Sequence, residues 1–153
     1  MIILANYTDS HSVRAVIGIT ENELTDHQMV AMLLEDQLLI DLAGWLPTHA
    51  DVYSAGISAL PGSAESLKYK KLRLYATYFM ASRVDLFQLA LPHTVSDGKN
   101  SLKRFEGVDF DELSAKLLGM AEKMKTEILG EDTTLAFGLT GIATPSYDPV
   151  TNV

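Results

Sequence analysis

The chain has 153 residues, of which 47% are hydrophobic, and a formal net charge of −8 at pH 7. This length suits one domain with a sizeable core, and the negative charge disfavours general binding to nucleic acid or anionic lipid. The chain has no cysteine, which excludes disulfides, thiolate metal sites and a cysteine nucleophile. Its apolar runs are shorter than the ~18 residues that a membrane span needs.

Capping signals predict a short first helix. Asp9 or Ser10 is placed to cap its start, and Gly18 is placed to end it. In the segment that follows, Thr20 and Glu23 have the spacing of a capping box, so a further helix is expected to begin nearby.

A long helix is predicted over about 27–46, with Asp26 placed to cap its start and Pro47 to end it. Its apolar residues lie on more than one side, which predicts contacts with several neighbours. The next segment, 47–62, contains two prolines and two glycines. It is predicted to be a loop with room for a single helical turn.

The central helix is predicted over 63–91, a run of 29 residues that has no glycine or proline and is closed by Pro92. At about 1.5 Å per residue this helix could reach about 40 Å. After it, the Asp-Gly pair at 97–98 is a strong turn signal, and Val95 and Leu102 are placed to flank a hairpin.

The last helix is predicted to begin after its N-cap, Asp109, and to end at Gly130. The remaining residues, 131–153, are too apolar for a solvated tail and are broken by two prolines, so they are predicted to form an extended arm. The sequence thus predicts an all-α fold, a small bundle of about four helices. It is divided into a helical adaptor domain at 1–130 and an extended C-terminal docking arm at 131–153.

Patterns that would indicate catalysis, a metal or a cofactor are missing from the sequence. The four histidines have neither helical ligand spacing nor a metalloprotease motif, and a di-metal bundle would need Glu-x-x-His pairs that the chain lacks. The segment SDGKNS lacks the repeat of a calcium loop and the glycines of a phosphate loop. We therefore expect neither an enzyme nor a cofactor-binding protein.

Charge is unevenly distributed along the chain. Residues 1–51 hold eight acidic side chains and one basic, a net −7, whereas residues 65–104 hold eight basic and three acidic, a net +5. Either the two sets neutralise each other within one subunit, or they meet between neighbours in a head-to-tail contact that closes into a ring. Contact with nucleic acid is less favoured, because stacking aromatics are lacking. The basic candidates for a subunit or partner contact are Lys68, Lys70, Lys71, Arg73, Lys99, Lys103 and Arg104.

Three segments of the chain resemble the head–tail connector proteins of tailed bacteriophages, the small helical adaptors that lie below the portal. They are SVRAVIGITENELTD before the long second helix, LYATYFMASRVD on the central helix and VSDGKNSLKRF before the last helix. The similarity runs over most of residues 12–129 and is carried by the order and spacing of the three segments.

The resemblance implies a ring of subunits, usually twelve, that docks on the portal, joins the head to the tail machinery and surrounds the DNA channel. It implies a virion protein without catalytic activity, present in the host cytoplasm during assembly. The expected partners are the portal protein, neighbouring copies of the chain and a tail or head-closure protein. DNA is expected to pass through without specific binding, and no membrane contact is expected.

Members of this family typically anchor through a C-terminal segment, although the tail of this chain departs from the simplest pattern. We expect its anchors to dock on the portal or on an adjacent subunit, and these are Phe137, Leu139, Ile142, Pro145 and Tyr147. A DNA conduit must not retain its cargo, so the channel lining is expected to be acidic. The candidates for that lining are Glu21, Glu23, Asp26, Glu35 and Asp36.

A second class of function stays open, a cellular helical-bundle regulator or antitoxin-like binding module whose C-terminal tail docks on a partner. A connector would form a large cyclic oligomer, or a monomer that assembles on a portal. A regulator would form a dimer or a heterodimer.

Overall fold

The computed structural model describes residues 3–4, 6–84, 94–96, 101–103 and 109–140. Within these ranges the chain forms six helices and two small antiparallel hairpins, so the predicted all-α bundle is confirmed. The helices are α1 (Ser10–Ile17), α2 (Asp26–Ala31), α3 (Leu34–Trp45), α4 (His49–Ser58), α5 (Ala64–Arg83) and α6 (Phe110–Thr140). The strands are β1 (Ile3–Leu4), β2 (Thr8–Asp9), β3 (Thr94–Ser96) and β4 (Ser101–Lys103).

Both ends of α1 follow the predicted signals. The side chain of Asp9 accepts a hydrogen bond from the backbone N–H of Ser12 at 2.8 Å, which satisfies one of the free donors at the helix start. Gly18 closes the helix in the left-handed conformation, with φ of 81°. Before the helix, β2 pairs with β1, so that Ile3 lies opposite Asp9.

The single helix predicted over 27–46 is wrong, because the chain breaks it into α2 and α3. Thr25, and not Asp26, is the N-cap of α2, and Gln28 completes a capping box with it. Leu33 lies between the helices in the left-handed region, with φ of 52°. Without glycine or proline at this point, the sequence gives no sign of the break.

The prediction of a loop over 47–62 is also wrong, since residues His49–Ser58 form α4. Pro47 lies just before this helix, where it cannot interrupt the helical hydrogen bonds. Gly56 lies inside the helix at a place where the side chain of Tyr69 on α5 passes directly over the backbone. The glycine that suggested a loop therefore permits close packing of two helices.

The core surrounds α5, which packs most extensively against α6 and also against α4, α1 and α3. The predicted packing of the central helix against the neighbouring helices near 27–46 and 110–129 is thus confirmed. Ser63 caps α5, which starts as predicted, but the helix ends at Arg83 and not at Leu91, because Val84 adopts an extended conformation. Residues 85–91 lie outside the described residues. The large apolar side chains that α5 buries are Leu72, Tyr75, Phe79 and Met80.

Helix α6 begins as predicted but does not end as predicted. Asp109 Oδ1 accepts hydrogen bonds from the backbone N–H groups of Asp111 and Glu112 at 3.0 and 3.1 Å. Gly130 does not stop the helix, which continues to Thr140 and is the longest in the described part of the chain. A helix interior tolerates one glycine at a cost of about 1 kcal/mol relative to alanine. Residues 131–140 are therefore helical instead of extended, and 141–153 lie outside the described residues.

The hairpin predicted between the last two helices is confirmed. Val95 of β3 lies opposite Leu102 of β4 in an antiparallel pair. Residues 97–100, which include the Asp-Gly signal, lie outside the described residues.

Replacing Gly56 tests the close approach of α4 and α5. A methyl group at this position would overlap the Tyr69 side chain, so we expect Gly56→Ala to lower the free energy of unfolding by about 1–3 kcal/mol. Gly119→Ala on α6 is the matched control, because a methyl group there meets no atom within 4 Å. This variant should raise the free energy of unfolding by at most about 1 kcal/mol. Urea denaturation of both variants provides the measurement, and equal effects would contradict the close packing.

Candidate interaction surfaces

Two of the basic contact candidates, Lys68 and Lys71, are half-buried on α5. Lys71 Nζ pairs with a carboxylate oxygen of Glu127 on α6 at 3.3 Å. Lys68 lines a shallow cleft between α4 and α5 together with Asp51 and Glu65. At both positions acidic side chains of the same subunit are close by, but only Asp51 belongs to the acidic set at 1–51.

The other two candidates on α5, Lys70 and Arg73, line an open groove between α1 and α5. Its volume is about 540 Å³, and its surface is mainly apolar. Arg73 Nε donates a hydrogen bond to the backbone carbonyl of Tyr7 at 3.3 Å, whereas Lys70 is exposed and makes no ion pair within the described part of the chain. We call this the α1–α5 groove, and its other lining residues are Ser12, Ala15, Val16, Leu74 and Thr77.

The carboxylate of Asp9 interacts electrostatically with the guanidinium of Arg73. Burial opposes the ionisation of Asp9, but the two hydrogen bonds from Ser12 and the charges of Arg73 and His11 outweigh it, so the pKa of Asp9 is lowered overall. Asp9 therefore stays ionised and compensates part of the Arg73 charge. Lys70 is then the cation of the groove that is most available to a partner.

Three of the remaining contact candidates belong to described strands or helices, and the others lie outside the described residues. Lys103 lies in β4, and Phe137 and Leu139 lie near the end of α6. Because α6 continues to Thr140, these two anchor candidates belong to a helix and not to an extended arm. The others lie outside the described residues, namely Lys99, Arg104, Ile142, Pro145 and Tyr147.

The acidic candidate Asp26 forms a partly buried ion pair with Arg14, the one basic residue of the acidic first third. Arg14 is itself buried, and its guanidinium donates to Asp26 Oδ1 at 2.8 Å, to the Leu24 carbonyl at 2.9 Å and to Ser10 Oγ at 3.2 Å. Removing one partner of such a pair would leave the other charge buried and uncompensated. Asp26 thus holds α1 against the start of α2.

The other acidic candidates lie nearer the surface. Glu23 accepts hydrogen bonds from the Thr20 backbone N–H and hydroxyl, both at 2.7 Å, in the turn predicted to hold a capping box. Glu21 is exposed in the same turn. Glu35 and Asp36 are exposed in the first turn of α3 and make no ion pair with any described residue. The acidic channel lining stays a prediction.

An exposed apolar helix face lies beside these two carboxylates. Ile40 on α3 is 75% exposed and Leu33 is 59% exposed, while the opposite side of α3 is buried in the core through Leu34, Leu38 and Leu42. Large apolar side chains grouped on one helix face usually indicate a partner. We call this surface the outer face of α3, and it consists of Leu33, Asp36, Ile40 and Ala43.

A second exposed apolar surface lies where α4 meets the start of α5. Leu60 in the connecting turn is 80% exposed, Ile57 at the end of α4 is 56% exposed, and Leu67 on α5 is 46% exposed. We call these three residues the α4–α5 corner.

Sequence reasoning missed both apolar surfaces because it misjudged two helices. Along one continuous helix, Leu33 and Ile40 share a side with Met29, which is buried. The break at Leu33 separates them, so that Met29 faces the core and the other two face solvent. Ile57 and Leu60 of the α4–α5 corner lie in the region that was predicted to be a loop, where no helical face was expected.

A buried polar cluster joins α3, α5 and α6. The hydroxyl of the fully buried Tyr75 donates to Asp41, and the indole N–H of Trp45 donates to the same carboxylate oxygen at 2.9 Å. Burial, followed by the hydrogen bond to Asp41, raises the pKa of Tyr75. On the other side of the indole, Lys125 Nζ of α6 lies 5.6 Å from the ring centroid. A hydroxyl so well enclosed is suited to holding the helices together and not to transferring a proton.

The described residues contain no group of three or more His, Cys, Asp or Glu side chains that could hold a metal ion. In that same part of the chain, none of the helices has the length and hydrophobicity needed to cross a membrane.

The chain matches no protein-family model, and neither the curated proteins nor the solved structures include a match to it.

Substituting Tyr75 tests the polar cluster. Tyr75→Phe removes one of the two donors to Asp41, so we expect it to lower the free energy of unfolding by about 1–3 kcal/mol. Tyr78→Phe is the matched control, because Tyr78 is half-buried on the same helix and its hydroxyl has no hydrogen-bond partner among the described residues. It should change stability by less than about 0.5 kcal/mol.

The loss of stability caused by Tyr75→Phe should also depend on pH. Because the pKa of Tyr75 is raised in the folded state, its contribution is fully present below the unfolded value of about 10 and is lost as the pH rises above it. The stability difference between the unmodified protein and Tyr75→Phe should therefore be constant from pH 7 to 9 and shrink above pH 10. Denaturation curves across this range measure it, and a difference that grew with pH would contradict the assignment.

Proposed function

We propose that this protein is a structural virion component, a head–tail connector that forms a ring below the portal of a tailed bacteriophage and continues the DNA channel. The observation that carries the proposal is that one subunit has two different surfaces in need of a partner. One is the apolar outer face of α3 with its carboxylate Asp36, and the other is the α1–α5 groove with its cation Lys70. The resemblance of three sequence segments to connector proteins supports the same proposal.

Two unlike surfaces on one subunit favour head-to-tail association. Such a contact repeats from subunit to subunit, and it closes into a ring when the rotation between neighbours divides a full turn. A dimeric regulator would instead need one surface that is complementary to itself. Connector rings of this kind usually have twelve subunits, and we propose the same number here.

A connector also needs contacts above and below its ring. The α4–α5 corner offers an apolar surface for the portal protein or for a tail or head-closure protein. The residues that follow Thr140 are the proposed portal-docking segment, with Ile142, Pro145 and Tyr147 as its anchors. The site of action is the head–tail interface of the virion, after assembly in the host cytoplasm.

The proposal also assigns an acidic lining to the channel. Glu21 and Glu35 are exposed, whereas Asp36 belongs to the outer face of α3 that contacts the neighbouring subunit. A net charge of −8 repels the DNA backbone. DNA would therefore pass through the ring without being retained.

Electron microscopy and native mass spectrometry test the proposed ring directly. With the portal protein of the same phage, we expect a cyclic oligomer bound to the portal. Its mass should correspond to about twelve subunits. Without the portal, either the same ring or a monomer is expected. A stable dimer or a heterodimer with a host protein would overturn the proposal in favour of a regulatory module.

Truncation after Thr140 tests the docking segment. We expect the shortened protein to keep its helical circular dichroism and its thermal midpoint, because the buried core described here lies within residues 7–128. Its binding to the portal should be lost, as measured by co-sedimentation against the full chain. A truncated protein that docked normally, or one that failed to fold, would show that this segment has another role.

A further inference from the structure

We infer that the outer face of α3 in one subunit binds in the α1–α5 groove of the neighbouring subunit, with Asp36 paired to Lys70. The inference rests on the proposed ring and specifies which surfaces join its subunits. Three features of the described residues support it, namely the chemistry of the groove, the spacing of the helix face and the position of each surface on the subunit.

The groove has the chemistry of a helix-binding site. Ala15, Val16 and Leu74 supply apolar surface, and Leu74 is 45% exposed although it lies between two helices. Lys70 adds a positive charge that the described part of the subunit does not neutralise with an ion pair. Grooves of this type bind the apolar face of an amphipathic helix and select it by charge.

The outer face of α3 has the spacing of such a helix. Leu33, Asp36, Ile40 and Ala43 follow each other at intervals of three, four and three residues, so they lie along one side of the helix. Ile40 is more exposed than Leu33 and is the natural central anchor. Asp36 lies one turn away from Ile40, and this spacing allows the apolar anchor and the ion pair to form together.

The partner must be a different subunit. Helix α3 packs on α5 of its own chain through the side that carries Leu38 and Leu42. Its outer face is on the opposite side of the helix, so it cannot reach the groove beside α5 in the same chain.

Charge also disfavours contact between like surfaces. Pairing two outer faces would bring two Asp36 carboxylates into one interface, and pairing two grooves would bring in two Lys70 cations, in each case without an opposite charge. Pairing the outer face with the groove brings opposite charges together. The geometry therefore points to a head-to-tail contact, in which the outer face of each subunit binds the groove of the next subunit in the ring.

The absence of cysteine in the chain makes cross-linking a direct test. Two single variants, Ile40→Cys and Leu74→Cys, are purified separately, mixed with the portal protein and treated with a short bis-maleimide reagent. We expect a covalent species containing one copy of each variant, identified by its intact mass. The matched control uses Ile57→Cys in place of Ile40→Cys, because Ile57 is exposed at the α4–α5 corner. This control should cross-link to Leu74→Cys at least tenfold less.

Charge reversal supplies a second measurement that does not depend on cysteine. Asp36→Lys and Lys70→Glu should each weaken the association between subunits by about 3–10-fold at low salt. The combined variant should restore it, because the two charges have only exchanged places. Asp111→Lys and Lys123→Glu are the controls, since both residues are exposed on α6, and they should change association by less than twofold.

The outcomes separate this inference from the proposed function. Intact rings without cross-linking between the two variants would overturn the inference and leave the connector proposal standing. Cross-linking of Ile40→Cys to itself, or of Leu74→Cys to the portal alone, would also overturn it. Specific cross-linking with rescue by the combined charge exchange, but in a chain that never forms rings on a portal, would support the contact and overturn the connector proposal.

Discussion

The packing of α5 against four other helices is the constraint on which the rest of this structure depends. Tyr75 is the residue where this constraint is strongest, because its ring packs between Trp45 and Phe79 while its hydroxyl is bound by Asp41. A helix that is surrounded in this way leaves few positions for function on its own surface. One exception is the side that faces α1, where Lys70, Arg73 and Leu74 remain accessible in the groove.

The sequence predicted the elements that have local chemical signals and missed those that depend on tertiary contacts. Asp9, Gly18 and Asp109 mark helix ends through their own side chains or backbone freedom. Gly18 and Asp109 were assigned correctly, and Asp9 was one of two candidates for its helix end. Gly56 and Gly130 carry the same type of signal, but both lie inside helices. At Gly56 the reason is visible in the packing of Tyr69, which no rule about single residues can anticipate.

The candidate surfaces were predictable only in part, because charge counted along the chain does not show which charges meet in the fold. The basic region was correctly assigned to α5, yet Lys71 is paired with Glu127 within the subunit. Asp26 was assigned to a channel lining, yet it forms an ion pair with the buried Arg14. Lys70 and Asp36 could be distinguished from these only after the intramolecular pairs were known.

The break at Leu33 connects the irregular part of the fold to its proposed function. A leucine in the left-handed region is strained by about 1–2 kcal/mol, and glycine or asparagine would relieve this strain. The break nevertheless places Leu33 and Ile40 in solvent beside Asp36 while Met29 and Leu34 remain buried. One continuous helix could not do both, because Leu33 would follow Met29 toward the core. Backbone strain that persists next to an exposed apolar face is a reason to look for function there, and at this position it creates the surface that we assign to the neighbouring subunit.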